Sequence, residues 1–255
     1  QTDAALERAS LASEMVSAKT ATETERDRNT LLASISHAFR TPLSSILGAA
    51  TSLISYSDKL DAAAKTDLLG QIKQETEGLD EMVRNLLAIT RIDSGALELR
   101  RDWIDLREIV ERIASAARRR GALQRIDIEM PSDLPMVRAD AALAEQVIGN
   151  VIANALVHTS ENTHIVIDAQ ASTAAIVVCV TDDGPGIASD VLPHVFDRFA
   201  KGSGTGDGGE GTGLGLAIAK GIMDAHGGSI AVDSPVDEKH GARFVLTFPR
   251  EDTAS

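Results

Sequence analysis

A glycine-rich segment that opens a helix is the first candidate for chemistry. Residues 211–216 read Gly-Thr-Gly-Leu-Gly-Leu, so Gly211, Gly213 and Gly215 can expose backbone N–H groups beside a helix N-terminus. These donors and the helix dipole favour a bound phosphate. The lack of a following Gly-Lys-Ser or Gly-Lys-Thr excludes a Walker loop. The long Gly-rich loop at 201–211 excludes the tight turn of a Rossmann fingerprint.

A pair of asparagines is the second candidate. Asn150 and Asn154 are four residues apart in a segment of helical pattern, so their side chains lie on one helix face. Amide oxygens on that face can reach a hydrated metal ion. Asparagines that cap a helix or bridge two helices explain the pair nearly as well when the segment is taken alone.

An acidic residue at a strand end is the third candidate. Residues 182–186 read Asp-Asp-Gly-Pro-Gly and directly follow an apolar run at 176–180. The Asp182 carboxylate can accept a hydrogen bond from a purine amine, while Gly184 and Gly186 let the base approach the backbone. An ordinary Asp-Gly turn is the alternative.

Two cations and one histidine complete the set. Arg198, in the segment Val-Phe-Asp-Arg-Phe at 195–199, and Lys201 could face phosphate, although each taken singly is better explained as a solvated surface charge. His37 lies two residues from Ile35 on an apolar helical stripe, about 200° around the helix. It is therefore predicted to face outward and not to be a buried structural histidine, and Thr41 shares its face.

The elements that carry His37 are predicted to be two antiparallel helices. The first stripe has steps of three and four and consists of Leu32, Ile35, Phe39, Leu43, Ile46, Ala50 and Leu53. After a polar turn at 58–61 with N-cap candidates, the second consists of Leu68, Ile72, Glu75, Leu79, Met82, Leu86 and Ile89. Ser94-Gly95 ends the second helix, and residues 1–30 suggest a polar helix.

A lone hairpin cannot cover both stripes, so pairing with a second copy into a four-helix bundle is expected. Packing on the rest of the chain is the alternative. From Trp103 the pattern becomes mixed α/β and looks able to close its own core, which favours the dimer. Helices are predicted at 106–120, 141–158 and 214–226, and strands at 126–130, 165–169, 176–181, 229–234 and 243–248.

Composition narrows the function classes. The hydrophobic fraction is 43% and the aromatic fraction 3%, which suits helix bundles and α/β layers. A net charge of −13 argues against a nucleic-acid groove or a polybasic membrane patch. Cys179 is the only cysteine, so no internal disulfide forms and a reducing compartment fits. No apolar run approaches the roughly 20 residues of a membrane helix.

The motifs together resemble the sensor histidine kinases of two-component systems. Residues 34–43, Ser-Ile-Ser-His-Ala-Phe-Arg-Thr-Pro-Leu, resemble the phospho-acceptor box with His37 at the phosphorylated position, and the later segments match the ATP-binding boxes in order. The resemblance covers about residues 25–250, and residues 39–48 are similar to the Kdp-type branch. It implies a helical hairpin forming a dimeric four-helix bundle, then an α/β sandwich ATP-binding domain of the gyrase/chaperone/kinase superfamily.

The resemblance also implies domains and roles. It places a helical linker at 1–24, a dimerisation and phosphotransfer domain at 25–95 and a catalytic domain at 100–250. It assigns Mg²⁺ to Asn154, adenine to Asp182 and the water for dephosphorylation to Thr41. Further ATP contacts fall on Asn150, Gly184, Gly186, Arg198, Lys201, Gly211, Gly213, Leu214 and Gly215. The implied partners are a second copy and a response regulator receiver domain, and the chain is expected to be the cytoplasmic fragment of a protein attached to the inner membrane.

Two positions depart from the family pattern. Ala38 replaces the acid that usually follows the histidine, and Val157 stands where many relatives place a lysine. Loss of a general base typically costs ~10²–10⁴-fold in rate. The first hypothesis is therefore a dimeric histidine kinase core with impaired autophosphorylation. The others are a response-regulator phosphatase or scaffold, and an ATPase of the gyrase and chaperone type, which usually has a glutamate where Asn150 stands.

Overall fold

A computed structural model of the chain describes residues 36, 38–198, 200, 213–236 and 240–250. The chain divides into two compact units between Met82 and Val83. The predicted helix at 1–30, His37, and the loop at 201–211 lie outside the described residues. None of the helices within the described ranges has the length and apolar character needed to cross a membrane.

The first unit is helical, as predicted. Helix α1 covers residues 38–55, and helix α2 begins after a polar turn and extends from Ala62 to Asp93. The Asp61 carboxylate accepts a hydrogen bond from the N–H of Ala64 at 2.7 Å, which caps α2 as expected. Gln71 Nε2 donates to Ser45 Oγ at 2.9 Å, so the two helices contact each other side by side.

The predicted seam of α2 is the less exposed face of the helix. Its seven residues are all half-buried or buried, including Glu75. The helix ends where Ser94-Gly95 predicted: Gly95 has a φ of +63°, and the N–H of Ala96 donates to the carbonyl of Arg91 at 3.0 Å. The last turns of α2 belong to the second unit, where Ile89 is part of the hydrophobic core.

The second unit is a five-stranded sheet with helices on one face. Its elements in chain order are β1 (Asp102–Ile104), α3 (Leu106–Arg119), β2 (Arg125–Glu129), β3 (Val137–Ala139), α4 (Ala141–His158), β4 (His164–Ala171), β5 (Ala175–Asp182), a 3₁₀ turn (Leu192–His194), α5 (Gly215–His226), β6 (Ser229–Asp233) and β7 (Ala242–Pro249). The order in the main sheet is β2-β4-β5-β7-β6, and only the β2–β4 pair is parallel.

Alternate residues of the strands build the core. On β7 buried and half-buried residues alternate along the whole strand, and Phe244 and Phe248 pack under the helices. Two strands were not predicted: β1 and β3 form a separate antiparallel pair of three residues each. Such short strands are too brief for an alternating pattern to emerge from the sequence.

Candidate functional site

The end of the glycine-rich segment, at Gly215, lies beside the asparagine pair in the structure. Asn150 Nδ2 donates a hydrogen bond to the carbonyl of Gly215, the first residue of α5, at 2.8 Å. A Cβ on Gly215 would lie 3.5 Å from Asn150 Cγ, so the two backbones approach closely without crowding. Asn154 is half-buried one turn further along α4. Asn150 therefore holds the start of α5 beside the helix that carries Asn154.

The start of α5 has the features of an anion site. Gly213 adopts a φ of +65°, and Leu214 is buried with 1% exposure. Within the described residues no side chain caps this helix. An anion placed there would meet backbone N–H groups and the positive end of the dipole. Gly211, the first glycine of the motif, lies outside the described residues.

Asp182 ends β5 and is nearly buried, with 6% exposure. Its Oδ1 accepts a hydrogen bond from the N–H of Gly184 at 3.0 Å. Burial raises the pKa of Asp182, while hydrogen bonds from the backbone N–H groups of Gly184 and Ala242 oppose the rise. A ligand amine that donates to this carboxylate would replace the water that burial removed.

Gly184 has no room for a side chain. A Cβ there would lie 2.7 Å from Thr159 Cγ2 and 2.8 Å from Asp182 Oδ1. Thr159 follows α4, and its hydroxyl donates to the carbonyl of Ala155 at 2.7 Å. The sequence analysis did not select Thr159, because a lone threonine after a helix has no distinguishing spacing.

A second set of contacts fixes Gly186, which has a φ of +76°. Ser234 Oγ accepts from the N–H of Ile187 at 2.8 Å and donates to the carbonyl of Gly241 at 2.9 Å. Gly241, with a φ of +86°, donates its N–H to the carbonyl of Gly184 at 2.8 Å. The loop after β5 is therefore fastened to the β6–β7 connection. Neither Ser234 nor Gly241 was selected from the sequence, although a glycine opening a strand is a usable signal.

The segment at 195–198 contacts other parts of the second unit. Phe196 packs edge-to-face on Phe244, with ring centroids 6.5 Å apart, and Lys220 Nζ lies 6.0 Å from the centre of the Phe196 ring. Arg198 forms an ion pair with Asp93 at the end of α2. The phosphate role of Arg198 stays a prediction, as does that of Lys201, which lies outside the described residues.

On α1, Thr41 is exposed and Ala38 is half-buried, both within an uninterrupted helix. Val157 on α4 is 46% exposed, so the position of the family lysine is accessible to solvent. The predicted outward orientation of His37 lies outside the described residues.

The residues present fit magnesium only together with a phosphate ligand. No group of three His, Cys, Asp or Glu side chains in the described ranges is arranged to hold a metal ion. Mg²⁺ requires oxygen ligands and is typically held by one or two protein groups plus substrate phosphates and waters. The amide oxygen of Asn154 is such a ligand, so a metal would arrive with its nucleotide.

Comparison with known proteins gives two family matches, in separate parts of the chain. Residues 27–95 match the His Kinase A (phospho-acceptor) domain, and residues 139–252 match the histidine kinase-, DNA gyrase B-, and HSP90-like ATPase family. The chain belongs to the sensor histidine kinases. The resemblance inferred from the histidine box and the ATP boxes is thereby confirmed, as is the fold class of a helical region followed by an α/β domain.

The relatives of this histidine kinase chain include Kdp-type sensors. It is 37% identical over 252 residues to sensor protein KdpD of Clostridium acetobutylicum and 34% identical over 248 residues to KdpD of Escherichia coli. Each alignment covers 97% of this chain but 27% of the relative, so the chain spans about a quarter of those proteins. The Kdp-type resemblance is confirmed.

A solved structure shares the fold. Full-length ShkA in complex with AMPPNP matches with a TM-score of 0.61 and 28% identity, covering 86% of this chain and 45% of ShkA.

Proposed function

We propose that the chain is the cytoplasmic core of a Kdp-type sensor kinase that transfers a phosphoryl group from ATP to His37 and then to an aspartate of a response regulator. One observation about the second unit carries this proposal. The buried Asp182 with its glycine-lined loop and the N-terminus of α5, which has no side-chain cap, are built on the same sheet. The AMPPNP complex of ShkA, a relative in fold and sequence, supports the choice of nucleotide. In the full-length protein, an upstream sensor region would join this core to the inner membrane.

Each end of the nucleotide would have its own part of the site. Asp182 would accept a hydrogen bond from the adenine amine, and Gly184 and Gly186 would let the ring approach the backbone. The N–H groups at Gly213, Leu214 and Gly215 would meet the phosphates. Mg²⁺ held by Asn154 would neutralise developing phosphate charge in the transfer step.

The transfer step requires a neutral imidazole at His37. One ring nitrogen forms the N–P bond while the bond from the γ-phosphorus to the bridging oxygen breaks, ADP leaves, and the imidazole loses a proton. An acid at position 38 would accept that proton and hold the ring tautomer. Ala38 has no acceptor group, so we expect slow autophosphorylation.

The hairpin would work as a homodimer. Leu43, Leu47 and Ile54 of α1 are 53%, 68% and 81% exposed, which leaves an apolar surface that a second copy of the hairpin would cover. The same bundle would present His37 to a receiver domain.

The test is labelling with γ-³²P-ATP and Mg²⁺. We expect the chain to label slowly and Ala38→Asp to label about 10²–10⁴-fold faster, because the aspartate supplies the missing proton acceptor. His37→Gln removes the acceptor nitrogen and should abolish the label. Ser55→Asp places the same charge on an exposed residue at the far end of α1 and should leave the rate unchanged.

Rapid labelling of the unmodified chain that is lost in His37→Gln would show that another group replaces the acid. No label in any variant despite bound ATP would contradict the kinase proposal.

The exposed Thr41 beside Ala38 favours a second candidate, a response-regulator phosphatase or scaffold with little kinase activity. Thr41 would orient the water that hydrolyses a phospho-aspartate. This candidate predicts that the chain accelerates loss of phosphate from a phosphorylated receiver domain and that Thr41→Ala abolishes the acceleration. Robust ³²P labelling at His37 would defeat it.

A further inference from the structure

A buried histidine joins the two helices of the nucleotide site. His226, the last residue of α5, is 4% exposed and lies beside Asp140, which precedes α4. The N–H of Asp140 donates to His226 Nε2 at 3.0 Å, and His226 Nδ1 lies 2.8 Å from the carbonyl oxygen of Ile222. Neither the family boxes nor the proposed chemistry uses this residue.

The partners define the tautomer. A backbone N–H can only donate, so Nε2 of His226 carries no proton, and a carbonyl can only accept, so Nδ1 carries one. The imidazole is therefore neutral and makes one hydrogen bond of each kind. An apolar side chain at position 226 would leave the buried N–H of Asp140 without a hydrogen-bond acceptor.

Asp140 is itself a junction. Its Oδ1 accepts from the N–H groups of Ala142 and Leu143, both at 3.1 Å, and its Oδ2 accepts from the N–H of Arg100 at 2.9 Å. Because the carboxylate caps α4 while the N–H binds His226, the beginning of α4 is connected directly to the end of α5.

The two helices are thus joined at two places. One is the hydrogen bond from Asn150 to Gly215 at the start of α5, and the other is that from Asp140 to His226 at its end. Each of these hydrogen bonds is called a tie below. At a rise of 1.5 Å per residue, Asp140 and Asn150 are about 15 Å apart along α4, and Gly215 and His226 are about 16 Å apart along α5. The matched spacing holds the antiparallel register. Two separated hydrogen bonds add to the core packing between the helices and so resist sliding and rotation of α5.

We propose that His226 is a positioning residue for the phosphate end of the nucleotide site. Its neutral, Nδ1-protonated imidazole fixes the register between α4 and α5, and so the placement of the α5 N-terminus relative to Asn150 and Asn154. Asp182 lies on β5, so the adenine contact does not depend on this tie. The inference rests on the proposed nucleotide function.

Paired substitutions separate the tie from general packing. In His226→Gln the amide oxygen reaches about the place of Nε2 and can accept from Asp140, whereas the shorter amide of His226→Asn keeps only the donor to Ile222. Met223→Leu is the control, since Met223 is buried in α5 and makes no tie to α4. The dissociation constants of ATP with Mg²⁺ and of AMP are measured for each variant of the 255-residue chain, together with its melting temperature.

We expect His226→Gln to keep the ATP:AMP affinity ratio within about threefold of the original chain, and His226→Asn to lower it about tenfold with AMP affinity nearly unchanged. Equal effects of Gln and Asn, or the same fall in the ratio for Met223→Leu at a matched melting temperature, would overturn the proposal. A chain that binds no nucleotide would refute the proposed function instead.

The protonation of the two ring nitrogens of His226 can be measured without any substitution. In the ¹⁵N spectrum of the unmodified chain, His226 should show a protonated Nδ1 and an unprotonated Nε2, with a coupling across the hydrogen bond from the Asp140 amide. This result is independent of nucleotide binding and of variants that fail to fold. A proton on Nε2 would overturn the proposal.

Discussion

The helical hairpin and the α/β unit bury their apolar residues to very different extents. In the described part of the hairpin before residue 83, Ala49 is the one fully buried residue, whereas Leu47 and Ile54 are mostly exposed. The α/β unit has a continuous core in which α3, α4 and α5 cover one face of the sheet. One region completes its own core, and the other presents an apolar surface that requires a partner.

Because of this difference, the two regions are suited to different tasks. A self-sufficient α/β unit can hold a nucleotide site in a fixed geometry, because its loops are fastened to a packed core. A hairpin with an open apolar face gains its stability from association, so its dimer and its fold are linked. Substitutions should therefore act on one region and spare the other.

The largest expected effect is on association of the hairpin. Leu47, with Phe39 and Leu43, lines an open apolar groove on α1. Leu47→Asp would bury an unpaired charge from each protomer in the dimer and should weaken association about a thousandfold or more. Sedimentation equilibrium measures the dimer, and ATP affinity should be unchanged.

Ser55→Asp puts the same charge on an exposed polar residue of α1 and serves as the control. If Leu47→Asp remained a dimer as tight as this control, the open face of α1 would not be the dimer surface.

The next effect is confined to the nucleotide site. Asp182→Asn keeps an oxygen for the N–H of Gly184 but replaces the other oxygen with an amide donor, which would face the adenine amine under the proposed function. We expect ATP affinity to fall about 100-fold. The melting temperature at pH 7 should not fall, because the variant removes the buried carboxylate of Asp182, and desolvation raises the pKa of that group. Calorimetric titration and thermal unfolding measure the two quantities.

The sign of the pH dependence follows from the same shift. The folded chain holds the Asp182 proton more tightly than the unfolded chain does, so this group lowers stability as pH rises from the ordinary aspartate pKa through the raised one. The variant should lack that loss when urea midpoints are compared across this range. A lower melting temperature in Asp182→Asn at pH 7 would contradict the argument.

Sequence patterns predicted the elements far better than the contacts between them. Helix α4 was predicted at its observed bounds, and the five strands of the main sheet were predicted to within two residues. The three-residue strands β1 and β3 were missed. The contacts of Ser234 with the loop after β5 and of His226 with Asp140 join residues at least 47 apart, and no periodicity records such pairs. The residue types of the site could be read from sequence, but not what holds them in place.

The smallest effect compares two glycines within the α/β unit. A Cβ at Gly184 would meet Thr159 Cγ2 at 2.7 Å, whereas a Cβ at Gly149 on α4 would have nothing within 4 Å. Gly184→Ala should destabilise the chain by about 1–3 kcal/mol through overpacking. Gly149→Ala should stabilise it by about 0.5–1 kcal/mol, since alanine is the better helix residue. Urea unfolding of the α/β unit measures both.

A rescue variant identifies the cause. Thr159→Ser removes Cγ2 and keeps the hydroxyl that donates to Ala155, so it should recover part of the stability lost in Gly184→Ala. The remaining loss would come from the Asp182 carboxylate, which lies 2.8 Å from the added Cβ. Because none of these residues lies on the hairpin, the dimer should be unaffected in all three variants. If Gly184→Ala were as well tolerated as Gly149→Ala, the loop after β5 would not be held closely against Thr159. Close packing around Asp182 would then no longer distinguish the α/β unit from the hairpin.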